Sequence, residues 1–387
     1  MPDINILSPK WAENVQEAAN GVLPAGDNNS VDSFLTSWRD FKSLLNKSVT
    51  AGSIFSNPIV STYSLVYTAT ATSAYNGGVL APNGDIHFVP YAGNRGQKIN
   101  SYTGVVSTYS IIHTNASGAY AGGVLAPNGD IHFIPILGRV GQKISSSGVV
   151  STYSLIYTNS NYPYAGGVVA PNGDVHFVAL ASPAIGQKIS VAGVVSTYRL
   201  VYSTGGAGYA GGILAPNGDI HFVPHTANRG QKISSSGVVS TYSLIYTFFP
   251  FAYSGGVLAL NGDIHFVPRN ARVGQKISVN GTVSTYSLVY TSTLNNGTYQ
   301  GGVLAPNGDI HFIPIQAPVG QKVSATGVVS TYSLIYTTTN SYQCGVLAPN
   351  GDIHFIPSTA AVGQKISTTA ALPFDIGTCC SSFLNKF

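Results

Sequence analysis

The sequence predicts an all-β fold, a ring of seven four-stranded antiparallel blades. Three observations carry this. The string APNGDIHF recurs with few changes, its asparagines falling at Asn83, Asn128, Asn172, Asn217, Asn261, Asn307 and Asn350, so the period is 43–46 residues. STYS (Ser61 to Ser330, once as STYR) and GQK (Gly96 to Gly363) each recur the same seven times. Between residues 59 and 367 the apolar residues follow no helical period and are cut into strand-length runs by Gly, Pro, Asn and Ser.

Each segment of the repeat has a local reason, taken here from the second copy. GGVLA (Gly122–Ala126) is small and apolar and ends at Pro127. Asn128-Gly129 predicts a two-residue type I′ hairpin turn, because both residues tolerate positive φ. DIHFIP (Asp130–Pro135) is the second strand, closed by a proline, and GQKIS (Gly141–Ser145) the third. VVSTYSLIYT (Val149–Thr158), rich in β-branched and aromatic residues, is the fourth.

A four-stranded repeat of this length is the size of one β-propeller blade. The order of the pieces predicts how the ring closes. A STYS strand (Val60–Thr68) precedes the first GGVLA-type strand, and the last GQKIS (Gly363–Ser367) has no STYS strand after it. Val60–Thr68 is therefore expected to join the last blade as its outer strand, covering an open edge. The organisation expected is an extension over 1–58, a propeller over 59–367 and a tail over 368–387. In the extension, Phe34, Leu35, Trp38, Phe41, Leu44 and Leu45 fall on one side of a helix over Val31–Lys47, with Ser30 as its cap.

The repeats resemble those of the β-propeller superfamily, broadly WD-repeat and kelch propellers without their signature residues. The Gly-Gly-Val-Leu-Ala-Pro-Asn-Gly core is most similar to propeller-type repeats of giant DNA viruses that infect amoebae. The likeness covers 59–367. It implies a fold and a viral setting, and no catalytic residues.

Composition narrows the classes. Only 8% of residues are charged and 44% are apolar, the reverse of a disordered chain. No run of 18 apolar residues is present, so no membrane helix is expected. Three cysteines cannot build a disulfide scaffold over 387 residues, and the start lacks the layout of a secretory signal. A reducing, cytoplasmic setting or a virion is the expectation.

Two sets of residues recur in every blade. Seven histidines (His87, His132, His176, His221, His265, His311, His354) each follow an aspartate by two (Asp85, Asp130, Asp174, Asp219, Asp263, Asp309, Asp352), so both lie on one strand face. We expect buried hydrogen-bond units that link histidine to STYS hydroxyls or backbone, because metal sites need converging ligands and catalysis does not need seven copies. Seven lysines match the aspartates one for one. No metal or cofactor is expected. Seven tyrosines (Tyr75, Tyr120, Tyr164, Tyr209, Tyr253, Tyr299, Tyr342) precede the small first strands and are expected to ring the mouth of the central channel, or else to fill space between blades.

Function that is not sevenfold should sit where the blades differ, in the connections from fourth to next first strand and from second to third, which open on one face. The ring holds seven aspartates against seven lysines and six arginines, an excess of six positive charges. Arg95, Arg139, Arg229, Arg269 and Arg272 fall in second-to-third loops with His225, which predicts a mildly basic variable face. The resulting expectation is a non-enzymatic scaffold or binding protein that holds a protein partner, or a second copy of itself, on this face. A lectin-like carbohydrate-binding propeller is the alternative. Nucleic acid is disfavoured by too few basic residues, and an enzyme by a channel mouth that reads as nearly uniform.

Overall fold

The chain divides into two units, Met1–Ser56 and Asn57–Phe387. The structure, a computed structural model, describes residues 57–68, 73–158, 162–180, 185–204, 206–247, 251–291 and 297–368. The helix expected over Val31–Lys47 and the tail beyond Thr368 lie outside these residues.

The second unit is a seven-bladed β-propeller of four-stranded antiparallel sheets. Blade 1 shows the plan: an inner strand Tyr75–Leu80, then Asp85–Pro90, Gly96–Asn100 and an outer strand Val106–Tyr109. Inner strands of successive blades pack side by side, and that of blade 7 (Tyr342–Leu347) packs back on that of blade 1. The ring is closed as the sequence predicts. Ile59–Ser64 pairs antiparallel with Val362–Ser367, Tyr63 opposite Gly363, and forms the outer strand of blade 7.

The hairpin turn departs from expectation. Gly84 has φ 85°, but Asn83 does not enter the left-handed region. The Gly84 N–H donates to the Ala81 carbonyl at 3.0 Å, so Pro82 and Asn83 form an ordinary turn and Gly84 is the left-handed residue after it. This is a three-residue loop with a glycine bulge, and proline's fixed φ selects it over the mirror-image turn. The Asn83 side chain accepts from the Asp85 N–H at 3.0 Å and locks the loop to the next strand.

A bulge also shapes each inner strand. In blade 1 the register shifts between Tyr75 and Gly78, with Gly77 at φ 91°. A Cβ on Gly77 would stand 2.8 Å from the Cα of Gly122 in blade 2, so backbones touch around the axis. Blade 7 alone carries Cys344 at this place, and its register differs accordingly. The next glycine, Gly78, receives Ile356 of the neighbouring blade, whose Cδ1 would meet a Cβ at 2.5 Å.

The core is seven equivalent clusters, each spanning two blades. One holds Tyr75, Phe88, Ile86 and Ile99 of blade 1 with Val346 and Ile356 of blade 7. Farther out, Tyr109 lies over Gly96, whose missing side chain leaves room for the ring.

Candidate functional site

The repeated histidines make the same contact in six of the seven blades. His87 Nδ1 lies 3.2 Å from the hydroxyl of Tyr109, and the same contact joins His132 to Tyr153, His221 to Tyr242, His265 to Tyr286, His311 to Tyr332 and His354 to Tyr63. Blade 3 differs, for the Tyr198 hydroxyl donates instead to the Phe177 carbonyl, beside His176. Burial pushes the pKa of six of these histidines down to about 4 and of His311 to about 3. They are neutral at pH 7.

Each preceding aspartate is bound to a lysine of the third strand, from Lys98–Asp85 at 2.5 Å to Lys365–Asp352 at 2.5 Å, with Asp130, Asp174, Asp219, Asp263 and Asp309 alike in between. Burial opposes ionisation of Asp85, but hydrogen bonds from Lys98 and Asn100 outweigh it and hold its pKa below the usual range. Among the described residues no three His, Cys, Asp or Glu converge as a metal site would require. The arrangement ties the second, third and fourth strands of a blade together, and its carboxylates are all engaged by lysines.

The seven tyrosines are not at the channel mouth. Tyr75, Tyr120, Tyr164, Tyr253, Tyr299 and Tyr342 have no exposed surface and Tyr209 has 1%. Each ring lies against a second-strand phenylalanine, Tyr75 on Phe88 at 5.5 Å between centroids. Six hydroxyls donate to the carbonyl just before or at the start of the third strand, for example Tyr209 to Arg229 at 3.0 Å. Aromatic burial between blades outweighs display at a rim. The ground for a ring of stacking sugar sites goes with this placement.

Sequence reasoning missed the glutamine of GQK. Gln97, Gln142, Gln187, Gln231, Gln275, Gln321 and Gln364 are fully buried. Each side-chain oxygen accepts two backbone N–H groups from the segment that leaves the previous blade: Gln231 takes Val201 at 3.0 Å and Tyr202 at 2.9 Å. Gln97 takes Val66 and Tyr67, which follow the N-terminal strand, so this latch also spans the closure. Its invariance across seven copies was the available signal.

On the variable face Arg95, Arg139, Arg229 and Arg272 are exposed. The repeats diverge at two positions beside the ends of the inner strands. One residue ends each second strand's run: Tyr91, Ile136, Leu180, His225, Arg269, Ile315 and Ser358. These positions are equivalent, for the carbonyls of Tyr91, Leu180, His225, Arg269 and Ser358 each accept an N–H from the segment entering the next blade. A second set follows the buried tyrosines: Asn76, Ala121, Ala165, Ala210, Ser254, Gln300 and Gln343. At these positions blades 2 and 3 carry alkyl groups, whereas blades 5 to 7 carry the partly exposed Arg269, Gln300 and Gln343 and the buried Ser254 and Ser358. These positions are not uniform from blade to blade.

Their polar side is connected. Arg269 Nη1 donates to Gln300 Oε1 at 2.5 Å, and Gln300 Nε2 donates to Gln343 Oε1 at 3.5 Å across to the next blade. The guanidinium carbon lies 5.9 Å from the centre of the Phe251 ring, a cation–π distance. Phe251 also packs on His225, centroids 4.7 Å apart. Burial, then the Arg269 charge, pushes the His225 pKa down to about 3. Phe251 itself stands in the left-handed region (φ 65°), as does Tyr162 (φ 53°) at the same place before blade 3. Such strain costs about 1–3 kcal/mol and concentrates at functional places.

No family model matches the sequence, and no curated protein is similar enough to count as a relative. Solved structures do share the fold. A streptogramin B lyase superposes with a TM-score of 0.67 at 19% identity, over 80% of this chain and 97% of that one. A catalytically inactive histidine-to-alanine variant of virginiamycin B lyase from Staphylococcus aureus, with quinupristin, gives 0.68 at 16% identity over 81% and 100%. The extracellular domain of a one-component system from Bacteroides thetaiotaomicron gives 0.59 at 11%, over 80% of this chain and 40% of that one. At these identities the likeness is one of fold, and what this chain shares with them is the seven-bladed β-propeller.

Proposed function

We propose that the chain is a non-enzymatic binding protein that holds a partner on its variable-loop face. The observation that carries this is where the symmetry breaks. The Asp–Lys pairs and the glutamine latch recur in every blade, the His–Tyr contact in six, and all are spent on the fold. The mouth differs from blade to blade, and its arginines have no carboxylate partner among the described residues. Recognition suits the mouth better than proton transfer does, because the described carboxylates are all engaged with lysines. A protein partner is favoured over carbohydrate, which lost the tyrosine ring as its platform. The viral setting rests on the repeat motif alone and belongs to this proposal.

The test is affinity capture from host lysate beside a glycan array, comparing the intact chain with a variant in which Arg95, Arg139, Arg229 and Arg272 become serine. All four side chains are exposed, so folding is retained. A protein captured by the first and lost by the second supports the reading. A glycan bound equally by both would replace it with the carbohydrate alternative, and turnover of a captured compound would replace it with an enzyme.

A further inference from the structure

We infer that the Arg269 side of the channel mouth is a binding site for a carboxylate group carried on an apolar body, the body lying toward blades 2 and 3. This rests on the reading of the variable face as the binding face, and deepens it.

The cation is set up for a ligand. Arg269 is partly buried, and its guanidinium is held on two sides, by the ring of Phe251 and the side-chain oxygen of Gln300. Gln300 is in turn held by Gln343. A guanidinium carries more N–H donors than one amide oxygen uses, and it presents them in a planar fork. The seven described aspartates are committed to lysines, so none of them answers this charge. Taking a cation partly out of water without an anion is unfavourable, and an incoming anion removes that cost.

A second observation concerns His225. Both its ring nitrogens are buried, the Ala207 carbonyl answers one of them and the other has no partner, and the ring touches the same Phe251 ring. An unpaired buried polar atom in a native fold calls for a partner, and a ligand oxygen or N–H would supply one. Phe251, which joins the two, sits in a strained backbone conformation that keeps its ring between them.

Charge selects the class. The site offers one full positive charge, with His225 neutral, so it balances one carboxylate; a phosphate dianion would need a second cation. In blades 3 and 2, Leu180 and Ile136 stand at the positions equivalent to His225 and Arg269, and Leu180 and Ala165 keep part of their alkyl surface exposed. An apolar body is the matching occupant. A small organic acid and the free C-terminus of an apolar peptide share this chemistry.

The experiment is calorimetric titration of the full chain with benzoate, N-acetylphenylalanine, their amides benzamide and N-acetylphenylalaninamide, and inorganic phosphate at matched ionic strength. At least one acid should bind saturably in the micromolar to millimolar range, with its amide at least tenfold weaker. Arg269→Gln should weaken the acid at least tenfold and Arg199→Gln, at an exposed outer-strand arginine, should leave it unchanged, with both variants melting like the parent. Preference for benzoate identifies a small acid, and preference for N-acetylphenylalanine identifies a chain terminus. Absence of binding by either acid, equal binding of the amides, undiminished binding to Arg269→Gln, or tighter binding of phosphate would each overturn the inference. If it falls while partner capture still depends on the exposed arginines, the broader reading stands.

Discussion

Acid should unfold this ring at a pH where most proteins remain folded, because one titrating unit is built into it seven times. Six of the repeated histidines have a folded pKa of about 4 and His311 of about 3, against 6.5 when unperturbed. The folded value lies below the unfolded one, so the unfolded chain binds more protons. The stability is therefore fully present above about pH 6.5 and is lost as pH falls toward 4. At pH 5 the unfolded state holds about six more protons than the folded one, and each histidine has cost about 2 kcal/mol relative to neutrality. Seven together approach 14 kcal/mol. Even half of that, allowing for relaxation of each site, is comparable with a typical total stability of about 5–15 kcal/mol. Asp85, Asp130, Asp219 and Asp263, held low by their lysines, add losses only at lower pH. Guanidinium unfolding followed by circular dichroism at half-unit steps from pH 7.5 to 4.5 reads this out. The midpoint should fall steeply below pH 6.5, with unfolding in buffer alone near pH 5. His221→Gln, though less stable at neutral pH, should flatten the dependence by about one proton. A midpoint that holds constant down to pH 4.5 would refute the buried, neutral assignment.

Three other outcomes are expected. Gln231→Leu strands the N–H groups of Val201 and Tyr202 and should cost about 2–4 kcal/mol, with both amides exchanging faster; unchanged exchange would remove the latch. Tyr209→Phe should cost about 1 kcal/mol because its hydroxyl bonds the Arg229 carbonyl, whereas Tyr164→Phe should be near neutral because that hydroxyl is buried without a partner. Comparable losses in thermal melts would contradict these contacts. Deleting residues 1–68 should lower the melting temperature sharply, since it strips Tyr63 from Gly363 and the Val66 and Tyr67 donors from Gln97, whereas deleting 1–56 should not. Equal melting temperatures for the two deletions would argue against closure by this strand.

The blades, their number and the closing strand were legible because a repeat declares them without any knowledge of tertiary contacts. Ile59–Ser64 could be assigned to blade 7 from an unmatched strand at each end of the array. Inner-strand geometry was not legible. Counting alternate residues from Gly78 back to Tyr75 fails because the bulge at Gly77 shifts the register, and the tyrosines turn into the core. Gln231 reads as an exposed polar residue between Gly230 and Lys232, and only the approach of another blade's backbone makes its burial favourable. Arg269, read only as one of five loop arginines, and Gln300 were not singled out, for the opposite reason. Their positions change from blade to blade, and an eye set for sameness passes over them, although the site is made from such differences.

The glutamine latch has a consequence for how the ring assembles. Each latch grips bare backbone N–H groups, which are chemically the same after every outer strand. Gln231 therefore has no means of telling Val201 and Tyr202 from Ile156 and Tyr157, and the latch carries no address. Blade order must come from chain connectivity, each short linker delivering its own neighbour before a wrong one can diffuse in. Only the seam inside blade 7, where Ile59–Ser64 meets Val362–Ser367, lacks that leash, since these strands are separated by almost the whole array. Ring closure is then the step most open to capture by another molecule, and refolding at high protein concentration should yield intertwined rings joined at that seam.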